Sequence, residues 1–153
     1  MSTSRFDNVC NAVPALRSLL PFNIAGKDIS IKMYLMNVRS ICNKLDLLKL
    51  FLDEHRPDIL AVTESWGRPA LLDSFLTFDD YMLFRRDRCC DRIGGGVFLL
   101  VRQSLLPSPF LFPLSERSDS FEDAVWCSIP ITSSDKLLVG CLYTVQVSEQ
   151  LSS

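Results

Sequence analysis

A mixed α/β fold is what this sequence predicts, and two patterns carry the reading. In the first half, an apolar strand, a one-sided helix and a second apolar strand follow one another within about 35 residues, the pattern of a βαβ unit. In the second half, four short strand candidates come as two closely connected pairs, which favours antiparallel hairpins. With 153 residues the chain has the length of one domain and can bury a core without disulfide support.

The elements follow in order. Residues 1–30 read as an N-terminal extension broken by Pro14, Pro21 and Gly26, within which Val13–Leu20 can form a short helix. Ile31–Met36 is a short apolar strand. Ser40 then offers an N-cap hydroxyl, and Ile41, Leu45, Leu48 and Leu52 recur on one helical face, widened by Leu47 and Phe51. The helix is expected over Ser40–Glu54 and must stop before Pro57, because the residue preceding a proline avoids the α region. Asp58–Thr63 is a nearly continuous apolar run, as for a strand buried on both faces, and the crossover helix makes it parallel to Ile31–Met36. A short helix is expected around Ala70–Phe75. Tyr81–Arg86 with Gly96–Arg102, and Ala124–Ile129 with Lys136–Tyr143, are the two hairpins, separated by a Pro/Ser-rich loop from Ser104 to Ser120. The domain proper is thus 31–143, with 144–153 as a tail.

Composition narrows the function classes. Sixteen Lys+Arg against eighteen Asp+Glu give a formal charge of −2, so nucleic-acid binding would have to use a local patch. The greasiest stretch, Val97–Leu114, is interrupted by Arg102, Gln103, Pro107, Pro109 and Pro113, short of the roughly 18 apolar residues a membrane span needs. Cys10, Cys42, Cys89, Cys90, Cys127 and Cys141 show no framework spacing, and there is no C-x-x-C. Free thiols without a secretory signal point to an intracellular protein, cytoplasmic or nuclear rather than secreted.

Two polar residues fall where an open α/β sheet binds ligands, outside the carboxyl ends of its strands: Glu64 after the second strand and Asn37 after the first. A carboxylate and an amide at adjacent strand ends can hold a hard cation. The same spacing also suits a solvated loop acid and a helix-capping amide. Arg85, Arg86, Arg88 and Arg92, interleaved with Asp87 and Asp91, form one dense basic cluster, either a phosphate-binding set of forks or a turn with internal ion pairs. Gly94-Gly95-Gly96 lacks the Lys-Ser/Thr of a phosphate loop and reads as a turn into the following strand. His55, the one histidine, sits at the helix end, where it serves the helix dipole or solvent.

Beyond these single residues, an ordered set of short motifs resembles a known family. Leu35-Met36-Asn37-Val38-Arg39-Ser40, Asn43-Lys44, Pro57-Asp58-Ile59 and Thr63-Glu64-Ser65-Trp66 are followed by Phe84-Arg85-Arg86-Asp87-Arg88 and Gly94-Gly95-Gly96-Val97. Val125-Trp126 and Val139-Gly140-Cys141-Leu142-Tyr143 complete the set. Over Ile31 to Tyr143 this resembles the amino-terminal portion of the endonuclease domain of non-long-terminal-repeat retrotransposons, in the exonuclease–endonuclease–phosphatase superfamily. The resemblance implies half of a four-layer, deoxyribonuclease-I-like α/β sandwich: a mixed sheet with flanking helices. It implies Mg²⁺-dependent hydrolysis of DNA phosphodiesters, nicking target DNA for reverse transcription. Asn37, Glu64 and Tyr143 match the family's catalytic positions, with Glu64 and Asn37 at the metal and the Tyr143 hydroxyl facing the scissile phosphate.

The chain departs from that family after Tyr143. The later Gly-Asp-Phe-Asn and Ser-Asp-His motifs, which supply the family's acid–base histidine and water-activating aspartates, do not occur. The expectation is therefore a truncated domain, inactive as this fragment, with weak or absent Mg²⁺ binding. DNA is the expected partner, no membrane is, and an exposed sheet face invites self-association. The alternative is a non-enzymatic α/β binding or interaction module.

Overall fold

The computed structural model describes residues 15–24, 27–71, 73–88, 94–113 and 123–144, with side chains from residue 28 onward. Among these residues, eight strands and one α-helix follow in order: β1 (Ala15–Ile24), β2 (Lys27–Asn37), α1 (Leu45–His55), β3 (Ile59–Thr63), β4 (Tyr81–Arg86), β5 (Val97–Arg102), β6 (Ser108–Pro109), β7 (Asp123–Pro130) and β8 (Lys136–Tyr143). They make a five-stranded sheet in the order β1-β2-β3-β5-β4 and a three-stranded sheet in the order β6-β7-β8.

β2 and β3 are parallel, with Met33 opposite Ile59 and Asn37 opposite Thr63, and every other pairing is antiparallel. The mixed sheet, the parallel pair flanking a helix, and both hairpins agree with the sequence. Two elements differ. Part of the expected N-terminal helix is instead β1, ten residues that pair with β2 from Ala15–Met36 to Ile24–Lys27. The short helix around Ala70–Phe75 is a 3-10 turn over Asp73–Leu76.

Strand alternation sorts the side chains into two cores. Tyr34 and Met36 of β2, Leu60 and Val62 of β3, and Phe98 and Leu100 of β5 face α1, where Leu48, Phe51 and Leu52 cover them. Ile31, Ile59, Ala61, Val97, Leu99, Val101 and Phe84 face the other way and pack on Cys127, Ile129, Val139 and Cys141 of the second sheet. β3 is buried at all five positions because both its faces are covered, which is why its sequence lacks polar alternation. Burial pushes the Cys127 thiol up to about 11 and the Cys141 thiol up to about 12, so both are neutral hydrophobic packing groups between the sheets. On the inter-sheet face of β2, Ile29 and Leu35 remain exposed.

The helix starts later than its apolar stripe suggests. Ser40 is no N-cap; its φ is +81°, and its amide donates to the Glu64 carbonyl at 2.9 Å. The amide of Ile41 donates to the Ser65 carbonyl at 2.9 Å, so residues 38–41 are stitched to the chain after β3 before helix can form. Lys44 takes the N-cap position without a side-chain cap, its ammonium bonding the carbonyls of Val38 and Arg39. At the other end Arg56 adopts the left-handed conformation and donates its amide to Leu52, an αL stop just ahead of Pro57. No helix among the described residues is long and apolar enough to cross a membrane.

Candidate functional site

The carboxyl ends of β2 and β3, the start of β5 and the end of β4 lie in one row, Asn37–Thr63–Val97–Arg86, set by the strand register. Three connections meet above that row and are laced through their backbones. Val38 donates to Thr63 at 3.1 Å, Ser65 to Gly96 at 3.1 Å, and Trp66 to Gly95 at 2.9 Å. Left-handed backbone is concentrated here: Arg39, Ser40, Glu64 and Trp66 all have positive φ, as do Gly94, Gly95 and Gly96.

Glu64 lies in that row of strain. Alternation along β3 puts Ile59, Ala61 and Thr63 toward the second sheet, so an extended residue 64 would point back toward the helix layer. The φ of +52° at Glu64 breaks the alternation, and its carboxylate meets the Tyr143 hydroxyl at the end of β8. That hydrogen bond joins residues 79 apart and spans the two sheets. The Glu64 carboxylate holds the Tyr143 hydroxyl above a phenol's ordinary value, with burial adding to the effect and the nearby Arg88 guanidinium opposing it.

Asn37 ends β2 on the same inter-sheet face and is exposed, one strand from Glu64 and level with Thr63. The structure thus brings Glu64 and Tyr143 into contact and sets Asn37 at the neighbouring strand end. Side chains of Glu64 and Asn37 offer hard oxygen donors, but no group of three or more His, Cys, Asp or Glu residues able to hold a metal occurs among the described residues.

A second cross-sheet link, missed by the sequence reading, stands beside the first. Asp123 opens β7 opposite Tyr143 in the strand register and is 1% exposed. Arg88 donates to its Oδ2 from Nε at 3.1 Å and from Nη2 at 2.6 Å, while Oδ1 has no hydrogen-bond partner. Gly95, at φ +74°, is the residue that makes room: a Cβ there would lie 2.6 Å from Asp123 Oδ2 and collide with the Arg88 guanidinium.

The basic cluster therefore divides. Arg85 is taken up by Asp87, Asp73 and the carbonyls of Leu71 and Arg68, and Arg88 by Asp123, so both make internal ion pairs. Arg86 stays exposed, and Arg92 lies outside the described residues. His55 is at the end of the parallel pair away from Glu64: its carbonyl accepts from Lys32 Nζ, midway along β2 and level with the chain entering β3, and its ring stacks on Phe51 at 4.3 Å.

No protein-family model matches the chain, and no curated protein does. Among solved structures, the AP endonuclease LMAP from Leishmania major superposes with a TM-score of 0.60 at 16% identity, covering 95% of this chain and 52% of that one. A humanized D. rerio TDP2 carrying 14 mutations superposes with a TM-score of 0.51, also at 16% identity, covering 77% of this chain and 49% of that one. The chain spans about half the length of the solved structures it matches, and its fold is the mixed α/β architecture of those deoxyribonuclease-I-like proteins.

Proposed function

We propose that this chain carries part of a metal-dependent phosphodiesterase site that acts on DNA, of the kind used by retrotransposon endonucleases to nick their target. The Glu64–Tyr143 hydrogen bond carries the reading, because it assembles, from opposite sheets, the carboxylate and hydroxyl that the motif resemblance pairs. The fold shared with an AP endonuclease supports the same class of chemistry. In this reading Glu64, with Asn37 alongside, would hold Mg²⁺. When bound, that ion supplies Lewis-acid neutralisation of phosphate charge. Tyr143 would donate its hydroxyl to the phosphate once Glu64 turned to the cation, a phenol being protonated at neutral pH without any help.

What this chain supplies is orientation. His55 lies at the opposite end of the parallel pair from Glu64, out of reach of water at Tyr143, and Asp123 is buried with its Oδ2 engaged by Arg88. A domain of 31–143, with 1–30 and 144–153 outside the catalytic unit, belongs to the same proposal. The test is Mn²⁺ binding followed by electron paramagnetic resonance, with a short DNA duplex present. Binding that is enhanced by DNA and lost in Glu64→Gln is expected. DNA binding indifferent to both metal and Glu64 would leave a non-enzymatic interaction module as the better account.

A further inference from the structure

The same end of the sheet carries an aromatic side chain that the Glu64–Tyr143 chemistry does not use. Trp66 is two residues past Glu64, 39% exposed, with a φ of +52°. A bulky side chain in that conformation is a true outlier, disfavoured against the right-handed regions. The conformation is held from below: the Trp66 amide bonds the Gly95 carbonyl at 2.9 Å, and its neighbours Ser65 and Gly67 are buried. The indole edge lies over the glycine turn, where a Cβ on Gly94 would sit 3.6 Å from Nε1. The backbone thus spends strain to keep a large aromatic ring at the mouth of the site instead of in either core.

Its surroundings are basic. Arg39, between the stitched residues Val38 and Ser40, is exposed, as are Arg68 and Arg86, and none of the three forms an ion pair among the described residues. The acids nearest in sequence are already engaged, Glu64 with Tyr143 and Asp87 with Arg85. An exposed ring at a sheet end that also carries three exposed arginines outside ion pairs has the composition of a nucleotide-stacking platform on a phosphate track.

The geometry points to Trp66 as the residue that stacks on the base or sugar next to the phosphate held at Glu64 and Tyr143, favouring a nucleotide that is already unpaired. This rests on the phosphodiesterase reading and names the substrate feature that the site would select. Stacking is tolerant of sequence and depends little on salt, whereas contacts from Arg39, Arg68 and Arg86 would set the salt slope.

The experiment titrates the full chain, in Mg²⁺, against a short fluorescein-labelled duplex with one unpaired nucleotide and against the same duplex fully paired. Wild type should prefer the first. Trp66→Asn should bind it about tenfold more weakly, with that preference gone and the salt slope unchanged. Its melting temperature should hold or rise, since asparagine accepts positive φ better than tryptophan does. A purely structural tryptophan would do the reverse, lowering the melting temperature and leaving the preference. Trp66→Phe against Trp66→Leu gives a second comparison with an unchanged backbone demand: Phe should keep most of the affinity and Leu should lose it. Wild type that binds DNA with both Trp66→Asn and Trp66→Leu indistinguishable from it would overturn the stacking role alone. Wild type that binds neither duplex would overturn the phosphodiesterase reading and the stacking role together.

Discussion

Removing the Arg88 guanidinium would leave Asp123, 1% exposed, as a buried carboxylate with both oxygens unpaired. Breaking such a pair from one side costs about 3–5 kcal/mol, so Arg88→Ala should shift the urea midpoint far more than Arg86→Ala, whose side chain is exposed. Tyr143 makes a different kind of prediction. Its folded-state pKa is raised, so its contribution to stability is whole below the ordinary phenol value of 10.0 and fades as the pH climbs through the folded value. Tyr143→Phe should cost about 1 kcal/mol at neutral pH, the worth of a partly exposed hydrogen bond to a carboxylate. That deficit should shrink above pH 10, measured as urea midpoints of both proteins across the range; a deficit constant with pH would contradict the assignment. Of the residues at this end, the strand-end positions of Glu64 and Asn37 were legible because the apolar runs before them mark the two strands. Asp123 was not, since its meaning comes from Arg88, 35 residues away, and from a glycine that leaves room for the pair.

At the scale of elements, the hydropathy pattern located β3, β4, β5, β7 and β8 to within about two residues, because each is defined by burial that recurs in the sequence. The start of α1 was misplaced for a physical reason. Ser40 followed by an apolar stripe looks like a cap, yet the backbone there is diverted into hydrogen bonds with Glu64 and Ser65. Side-chain identity cannot reveal a main-chain partner that is distant in sequence. This yields a clean test: if Ser40 capped the helix, Ser40→Ala and Ser40→Gly would both destabilise, with Ala the worse by a few tenths of a kcal/mol. At φ +81° glycine should instead be neutral or stabilising by about 0.5–1 kcal/mol, and alanine, which carries the same Cβ as serine, should be close to neutral, read from thermal or urea unfolding. β1 escaped the reading because a segment with Pro14 before it, Pro21 within it and mixed polarity shows no clear period; its strand conformation comes from ten residues of pairing with β2.

For the whole molecule, two sheets meet through Cys127, Ile129, Val139 and Cys141, and two polar links, Glu64–Tyr143 and Arg88–Asp123, join them at one end. The alternating pattern announced two hairpins and a parallel pair, but not which hairpin joined the parallel strands. β4 and β5 extend the first sheet, while β7 and β8 build the second, a choice made by inter-sheet packing. The purified 153-residue chain is expected to leave supercoiled plasmid intact in Mg²⁺, because His55 lies at the opposite end of the parallel pair and Glu64, the carboxylate bonded to Tyr143, is the group proposed to hold the ion. The assay is relaxation of supercoiled plasmid on a gel, with Glu64→Ala as the contamination control. Nicking that vanishes in Glu64→Ala would show that a proton acceptor reaches the site.

The left-handed backbone at Glu64 and Trp66 has a bearing on how such a chain would age. Every generation of random substitution at these two codons offers Gly or Asn a small folding advantage. A mutational library sorted only for soluble abundance should therefore enrich Gly and Asn at both positions, while one sorted for work on DNA should purge them. The pair acts as a recorder: whether a lineage still spells Glu and Trp there reports whether it has been kept for what it does or only for standing upright.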